Sequence, residues 1–176
     1  MSELSTRAAT KADVAAITAI YADEVLNGTA TFEVIPPDAT EMAQRMEKLA
    51  AGGLPYLVAE RDGKTVGYAY AGAYHTRPAY RHTVEDSIYI AAGARGTGVG
   101  GALLGALITE CTKRDFRQMI ALIGDAANVA SIRLHKAAGF ERVGVLKSVG
   151  YKHNRWLDVE VMQRALGPGA AEPPLG

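Results

Sequence analysis

The chain has 176 residues, 48% of them apolar, and its 19 basic and 19 acidic side chains balance to a formal net charge of zero. This length suits one domain with a sizeable core, the composition is too apolar for disorder of the whole, and the zero charge removes the footprint expected of a nucleic-acid binder or a polybasic membrane anchor. A lone cysteine, Cys111, excludes an internal disulfide, and neither an apolar leader nor a run of ~20 apolar residues is present, so the expectation is a soluble, cytoplasmic protein.

In chain order, Leu4 to Thr10 alternates weakly and predicts a first strand. Asp13 then reads as a helix cap, with Val14, Ile17, Ile20, Tyr21 and Val25 at helical spacing behind it. Pro36-Pro37 breaks the chain, Asp38 or Thr40 caps a second helix with Met42, Met46 and Leu49 on one face, and Gly52-Gly53 stops it. Tyr56 to Glu60 and Thr65 to Ala73 are predicted strands, and Asp62-Gly63 between them is a strong hairpin signal. Residues 74–82 form a loop carrying aromatic rings and four basic or potentially basic side chains. Thr83 to Ala91 is the next strand, followed by a glycine-rich stretch at 93–101 and a helix with the stripe Leu103, Leu104, Leu107, Ile108 and Cys111. Met119 to Ile123 is a short strand, Asn128 or Ser131 opens another helix that Gly139 ends, and Phe140 to Arg164 supplies two more strands. The result is an α/β (α+β) chain with one mixed sheet, antiparallel hairpins in its first half, βαβ crossovers in its second, and helices on both faces. A single domain at 1–166 is expected, with the Gly-, Pro- and Ala-rich segment 167–176 as a fraying tail.

The chemistry is densest between strand and helix at Arg95-Gly96-Thr97-Gly98-Val99-Gly100-Gly101. Glycines there let backbone approach a ligand closely, and free amides at a helix start favour an anion, so a phosphate group is the natural inference. Gly96-x-Gly98-x-x-Gly101 also fits a dinucleotide fingerprint, with Asp125 near the acidic position about 20 residues on. Against that reading, the motif lies past mid-chain behind antiparallel hairpins, and too little chain remains after it for a doubly wound sheet.

Arg95-x-x-Gly98-x-Gly100 resembles the pyrophosphate-binding signature of the GNAT superfamily of N-acetyltransferases, which wraps acetyl-CoA. A second stretch, Asn128-Val-Ala-Ser131-Ile-Arg-Leu134 through Gly139-Phe140, resembles another signature of that superfamily. Thr83-Val84-Glu85, Gly150-Tyr151-Lys152-His153 and Trp156-x-Asp158 are further similar to its phosphinothricin and methionine sulfoximine acetyltransferase branch. The likeness covers most of residues 4–165 and is weak at 27–55. It implies a sheet whose parallel strands splay at the coenzyme, and a cytoplasmic homodimer that acetylates the α-amine of a small amino acid or analogue, with acetyl-CoA as cosubstrate and no metal. Peptide acetylation and a non-catalytic acetyl-CoA sensor are the other readings it leaves open.

The resemblance also assigns residues. Glu85 becomes the base. Strand alternation places it with Thr83, Ser87 and Tyr89 on one face and puts Asp86 opposite with Val84, Ile88 and Ile90, where a buried partner or a wet strand end is expected. His135 stands where many members carry a tyrosine proposed to protonate the departing thiolate, and is either that acid or a polar helix-flank residue. The backbone of Ile88, Tyr89 and Ile90, the loop Arg95, Gly96, Thr97, Gly98, Val99, Gly100 and Gly101, and Asn128 and Ser131 are the implied coenzyme contacts. Tyr74, Thr76, Arg77, Arg81, Glu85 and Ser87 are the implied substrate contacts, the arginines suiting carboxylate or phosphinate oxygens and Tyr74, Tyr80 and Trp156 walling an aliphatic body. Cys111 lies on the helix stripe and reads as a core thiol. Histidines 75, 82, 135 and 153 lack metal-ligand spacing, so no metal is expected.

Overall fold

The structure, a computed structural model, describes residues 3–175. Its strands are β1 (Leu4–Ala8), β2 (Tyr56–Arg61), β3 (Lys64–Ala73), β4 (Thr83–Ile90), β5 (Gln118–Gly124), β6 (Glu141–Lys152) and β7 (Arg155–Ala165). The helices are α1 (Val14–Asn27), α2 (Ala39–Ala51), α3 (Val99–Lys113) and α4 (Val129–Ala137). All seven strands join one sheet in the order β1-β2-β3-β4-β5-β7-β6. Strands and α-helices succeed one another as the sequence predicts. Every pairing is antiparallel except that of β4 with β5.

Local signals account for most boundaries. Asp62 and Gly63 turn the β2–β3 hairpin with φ of 51° and 71°, the left-handed pair such a turn requires. Asp38 caps α2 by accepting from the Glu41 amide at 2.8 Å. Asp13 corrects its reading as a simple cap. Its side chain reaches back to the Thr10 amide at 2.8 Å and Thr10 Oγ1 at 3.0 Å, while Arg7 and Thr65 donate to it as well. Those donors, the Arg7 guanidinium first, hold this buried carboxyl far below the usual carboxylate range.

Each face of the sheet buries its own core. On one side Leu103, Leu104, Leu107 and Cys111 of α3 pack on Leu57, Ala69, Val84 and Met119. On the other, Ile17, Tyr21 and Val25 of α1 and Met42 and Met46 of α2 cover Tyr56, Val58 and Tyr68. The segment past β7 is tied back to the start of β5, an arrangement its composition does not disclose. The buried Arg117 guanidinium donates to the carbonyls of Glu172 and Pro173 at 3.2 and 3.0 Å, and Asp115 accepts from the Leu175 amide.

One irregularity positions the site. β4 and β5 pair only at Thr83–Gln118, Val84–Met119 and Glu85–Ile120. Beyond Glu85 the strands diverge, leaving the β5-facing edge of Asp86 to Ile90 without a strand partner. The expected splay is therefore present, and it opens at Glu85.

Candidate active site

A cavity of about 490 Å³ occupies the splay. Glu85, Asp86, Ser87, Ile88 and Tyr89 form its floor, and Asn128, Ser131 and His135 of α4 bound one side. The opposite side is built from the α1–α2 connection (Ala30, Thr31, Phe32) and from Leu146, Val149 and Val159 of the β6–β7 pair.

That second wall is assembled by clasps between distant segments. The Lys152 ammonium, almost fully buried, donates to the Thr31 carbonyl at 2.9 Å, and His153 Nε2 lies 3.1 Å from the Gly28 carbonyl. Burial pushes the Lys152 pKa down, with Glu24 opposing in part. Arg155 and Thr29 both donate to Asp125, which ties the same connection to the end of β5. Tyr21 shares a hydrogen bond with Thr31 Oγ1 and donates to Glu33. The Phe32 ring fills the space that a side chain at Gly150 would occupy, so a larger residue there would push the ring aside. Ser148, at φ 53°, donates its amide to Asp158 and shapes the irregular stretch that carries Leu146 and Val149 to the cavity.

Two acidic groups sit side by side on β4 but face opposite ways. Glu85 is half-buried, and its pKa is raised, first by burial and then by the nearby Asp86 charge. Asp86 is buried and meets His135 Nε2 at 2.9 Å, the partner that its inward position demands. For His135, burial pulls the pKa down, but the Asp86 hydrogen bond and charge, with help from the Ser131 carbonyl, outweigh it and leave the pKa raised. The ring also stands edge-on to Phe140 at 5.0 Å.

The glycine loop lies at the far end of the splay. Gly96 and Gly98 take φ of 73° and 89°, which side chains rarely adopt. An added Cβ at Gly96, Gly98 or Gly101 would meet nothing within 4 Å, so the backbone is open on its outer side. The first amides of α3 have no acceptor inside the helix. An open cradle of unpaired donors at a helix start fits a pyrophosphate such as that of acetyl-CoA. Gly100 has another reason to be small: a Cβ there would press on Ile90 and Leu134 side-chain atoms at 3.1 Å, so it serves helix packing. Thr97 Oγ1 donates to the Ala94 carbonyl and Arg61 braces Thr97 from outside. Arg95 donates to Glu24 at 3.1 Å and to the Ile90 carbonyl at 3.3 Å, joining the loop to α1.

The structure gathers Glu85, Ser87, Ile88, Tyr89, Asn128, Ser131 and His135 on one cavity. Asn128 is also the α4 cap, accepting from the Ser131 amide at 3.1 Å. It does not bring Tyr74, Thr76, Arg77, Arg81, Tyr80 or Trp156 to that cavity's walls. Arg77 and Arg81 are exposed on the 74–82 loop, Tyr74 and Tyr80 pack on each other, and Trp156 stacks edge-on with Tyr151 at the surface. The aromatic rings on this cavity include Tyr21, which the sequence places only on a helix stripe, and Phe32 and Tyr70, to which it gives no role in the site. Asp125, the acid of the dinucleotide alternative, is spent on Arg155 and Thr29, and the antiparallel hairpins exclude a doubly wound sheet. Cys111 is fully buried in the α3 core, and burial pushes its thiol up to about 12. Among the described residues no helix is long and apolar enough to cross a membrane.

A parallel pair that splays beside a desolvated glutamate, with a glycine-rich helix start beyond it, is the architecture of an acyl-coenzyme A transferase. The family model described as an acetyltransferase (GNAT) domain matches residues 6–161, and the chain belongs to that family. It is 58% identical to a phosphinothricin N-acetyltransferase of Alcaligenes faecalis over 89% of this chain and 80% of that one. It is 39% identical to an L-methionine sulfoximine/L-methionine sulfone acetyltransferase of Pseudomonas paraeruginosa, over 96% and 98% of the two chains. A crystal structure of a phosphinothricin acetyltransferase from Sinorhizobium meliloti with AcCoA superposes with a TM-score of 0.95 at 51% identity, covering 97% of this chain and 92% of that one.

Proposed function

We propose that this protein transfers the acetyl group of acetyl-CoA to the α-amine of a small amino acid analogue: phosphinothricin, methionine sulfoximine or methionine sulfone. The observation that carries the reading is the position of Glu85. It stands where β4 and β5 part, on the lining of a cavity with apolar walls, on the same strand that leads into the glycine loop.

In this reading, acetyl-CoA supplies an activated acyl thioester. The amides of residues 96–101 hold its pyrophosphate, Arg95 braces the loop, and the free edge of Ile88, Tyr89 and Ile90 aligns its thioester arm. Asn128 and Ser131 contact it from α4. Glu85 takes a proton from the substrate ammonium, directly or through water, so that a neutral amine attacks. A raised pKa suits this task, since it makes the carboxylate a stronger proton acceptor than an ordinary glutamate. Backbone N–H groups of 88–90 stabilise charge on the thioester oxygen. His135 lines the cavity and is the candidate catalytic group for the departing thiolate.

The substrate's aliphatic body suits Phe32, Leu146 and Val149. Its carboxylate or phosphinate is assigned to Thr76, Arg77 and Arg81, which lie outside the single-chain cavity. That assignment requires the 74–82 loop to fold inward or a second copy to complete the site. A homodimer would meet this need, and Val143, Tyr151 and Trp156 leave an exposed apolar surface on the β6–β7 pair for it. The cytoplasm, where acetyl-CoA and free amino acids meet, is the matching compartment.

The test is thiol release from acetyl-CoA with each of the three compounds, beside a polyamine, an aminoglycoside and a peptide. Turnover of at least one of the three, well above the others, supports the proposal. No turnover of the three alongside robust acetylation of a polyamine, an aminoglycoside or the peptide overturns the substrate assignment.

A further inference from the structure

The two nitrogens of His135 are both committed to acceptors. Nδ1 lies 2.8 Å from the Ser131 carbonyl oxygen, which can only accept, so Nδ1 carries a hydrogen. Nε2 lies 2.9 Å from Asp86 Oδ2. A neutral imidazole protonated at Nδ1 would set a bare Nε2 lone pair against a carboxylate oxygen in a buried site. A second hydrogen between Nε2 and Oδ2 removes that clash. No lysine or arginine among the described residues is bonded to Asp86, so His135 is the group that balances it. Asp86 Oδ1 is buried without a hydrogen-bond partner among the described residues, which leaves the carboxylate dependent on this one contact.

Resting on the acetyl-transfer reading above, we infer that Asp86 is a positioning residue that keeps His135 doubly protonated and its ring fixed, so that a charged imidazolium lines the cavity and steadies the departing thiolate. The proton balance of the reaction closes without a proton from the pair, whose part is its charge. The substrate ammonium loses two protons on becoming an amide. Glu85 takes the first before attack and releases it to solvent. The second leaves nitrogen as the N–C bond forms, while the sulfur needs one as its bond to the acetyl carbon breaks. That second proton passes to sulfur, directly or through water, so the coenzyme leaves as a thiol, and the fixed imidazolium lowers the cost of the charge that sulfur carries on the way. β4 separates the two functions by alternation: Glu85 faces the amine, and Asp86 faces α4. The titratable neighbours are few. Glu85 adjoins on the same strand, Cys111 of α3 lies near enough to feel the Asp86 charge, and Arg133 and Lys136 of α4 form no ion pair with Asp86. The raised pKa of His135 agrees with the geometry.

Asp86→Asn tests this with little change of shape, because an asparagine NH₂ can donate to a bare Nε2 and let a neutral His135 keep its Ser131 contact. Nitrogen-15 NMR of the imidazole, assigned by His135→Gln, reads the protonation directly and needs no turnover. We expect His135 of the wild type to remain doubly protonated above the pH at which ordinary histidines titrate, and to lose that proton at lower pH in Asp86→Asn. In kinetics, kcat should fall roughly tenfold to a hundredfold, with acetyl-CoA affinity unchanged and the alkaline limb moved to lower pH. Asp86→Glu should recover part of the loss, and an acetyl thioester of a more acidic thiol should shrink the defect. A wild-type His135 that titrates like a free histidine overturns the inference, even if Asp86→Asn fails to fold. So does an Asp86→Asn enzyme with an unmoved alkaline limb. An inactive wild type with the expected NMR titration would instead count against the proposed function.

Discussion

The two ends of the cavity are built in different ways. The proposed coenzyme end draws on two short contiguous stretches, residues 88–101 and 128–135, in which a run of sequence carries its own geometry. The amine end is put together from the α1–α2 connection and the β6–β7 pair, segments 121 residues apart at the Lys152–Thr31 contact. A backbone cradle needs particular φ angles at particular positions, and only glycine supplies them cheaply, so it leaves a written pattern. A side-chain wall needs apolar groups of suitable size to arrive together from anywhere, and many sequences do that. The first kind of site is specified locally, the second by tertiary clasps.

Predictions can press on this contrast. The largest effect belongs to the junction of the two ends. Glu85→Gln should keep acetyl-CoA affinity and lower kcat by roughly two orders of magnitude or more, the usual scale for a lost general base. The sign of the pH dependence comes from burial, the main cause of its shift. Because the Glu85 pKa is raised, carboxylate is lost as pH falls through a value above the ordinary glutamate range, and wild-type kcat/KM should decline there. The variant should lack that decline. Wild-type-like turnover across pH would make Glu85 structural.

At the coenzyme end, Gly98 and Gly100 should fail differently. Gly98→Val places a branched side chain at φ 89° on the open side of the loop, and should erase the stabilisation by acetyl-CoA that amounts to about 2.7 kcal/mol at roughly a hundredfold excess over Kd. Gly100→Val instead overpacks Ile90 and Leu134, and should lower the stability of the free protein by about 1–3 kcal/mol. Thermal unfolding with and without acetyl-CoA separates the two, and identical behaviour would erase the distinction.

At the amine end, Lys152→Met removes the donor to the Thr31 carbonyl. We expect about 1–3 kcal/mol of lost stability and a raised KM for the amine with little change in acetyl-CoA affinity, read from steady-state kinetics. An equal loss for both substrates would mean that the clasp supports the whole fold. Arg77→Ala should have the mildest effect, raising the amine KM more than it lowers kcat. No change in either would remove the 74–82 loop from the site.

The same contrast explains what could be read from residues alone. The order of strands and helices was legible because Asp62-Gly63, Asp38 and the α3 stripe act within a few residues of themselves. The glycine loop was legible for the same reason, whereas Glu85 was singled out by the resemblance of its strand to the family. Asp86 announced only that it needed a partner: strand alternation turned it inward, but nothing within reach in sequence named His135, 49 residues on. Lys152 was visible as part of a motif, though not as the buried cation that clasps the α1–α2 connection. Trp156 misled, since a large aromatic ring reads as a wall wherever the chain places it. Here it lies on the surface of β7, against Tyr151.

The central claim is direct transfer within one cavity that holds both substrates at Glu85. The sole thiol is buried in the α3 core and held protonated at neutral pH, so it is no candidate for an acetyl carrier. Initial rates measured against acetyl-CoA at several fixed concentrations of phosphinothricin test this most directly. Double-reciprocal lines that intersect are the predicted result. Parallel lines, together with an acetylated protein detected by mass spectrometry in the absence of amine, would contradict it.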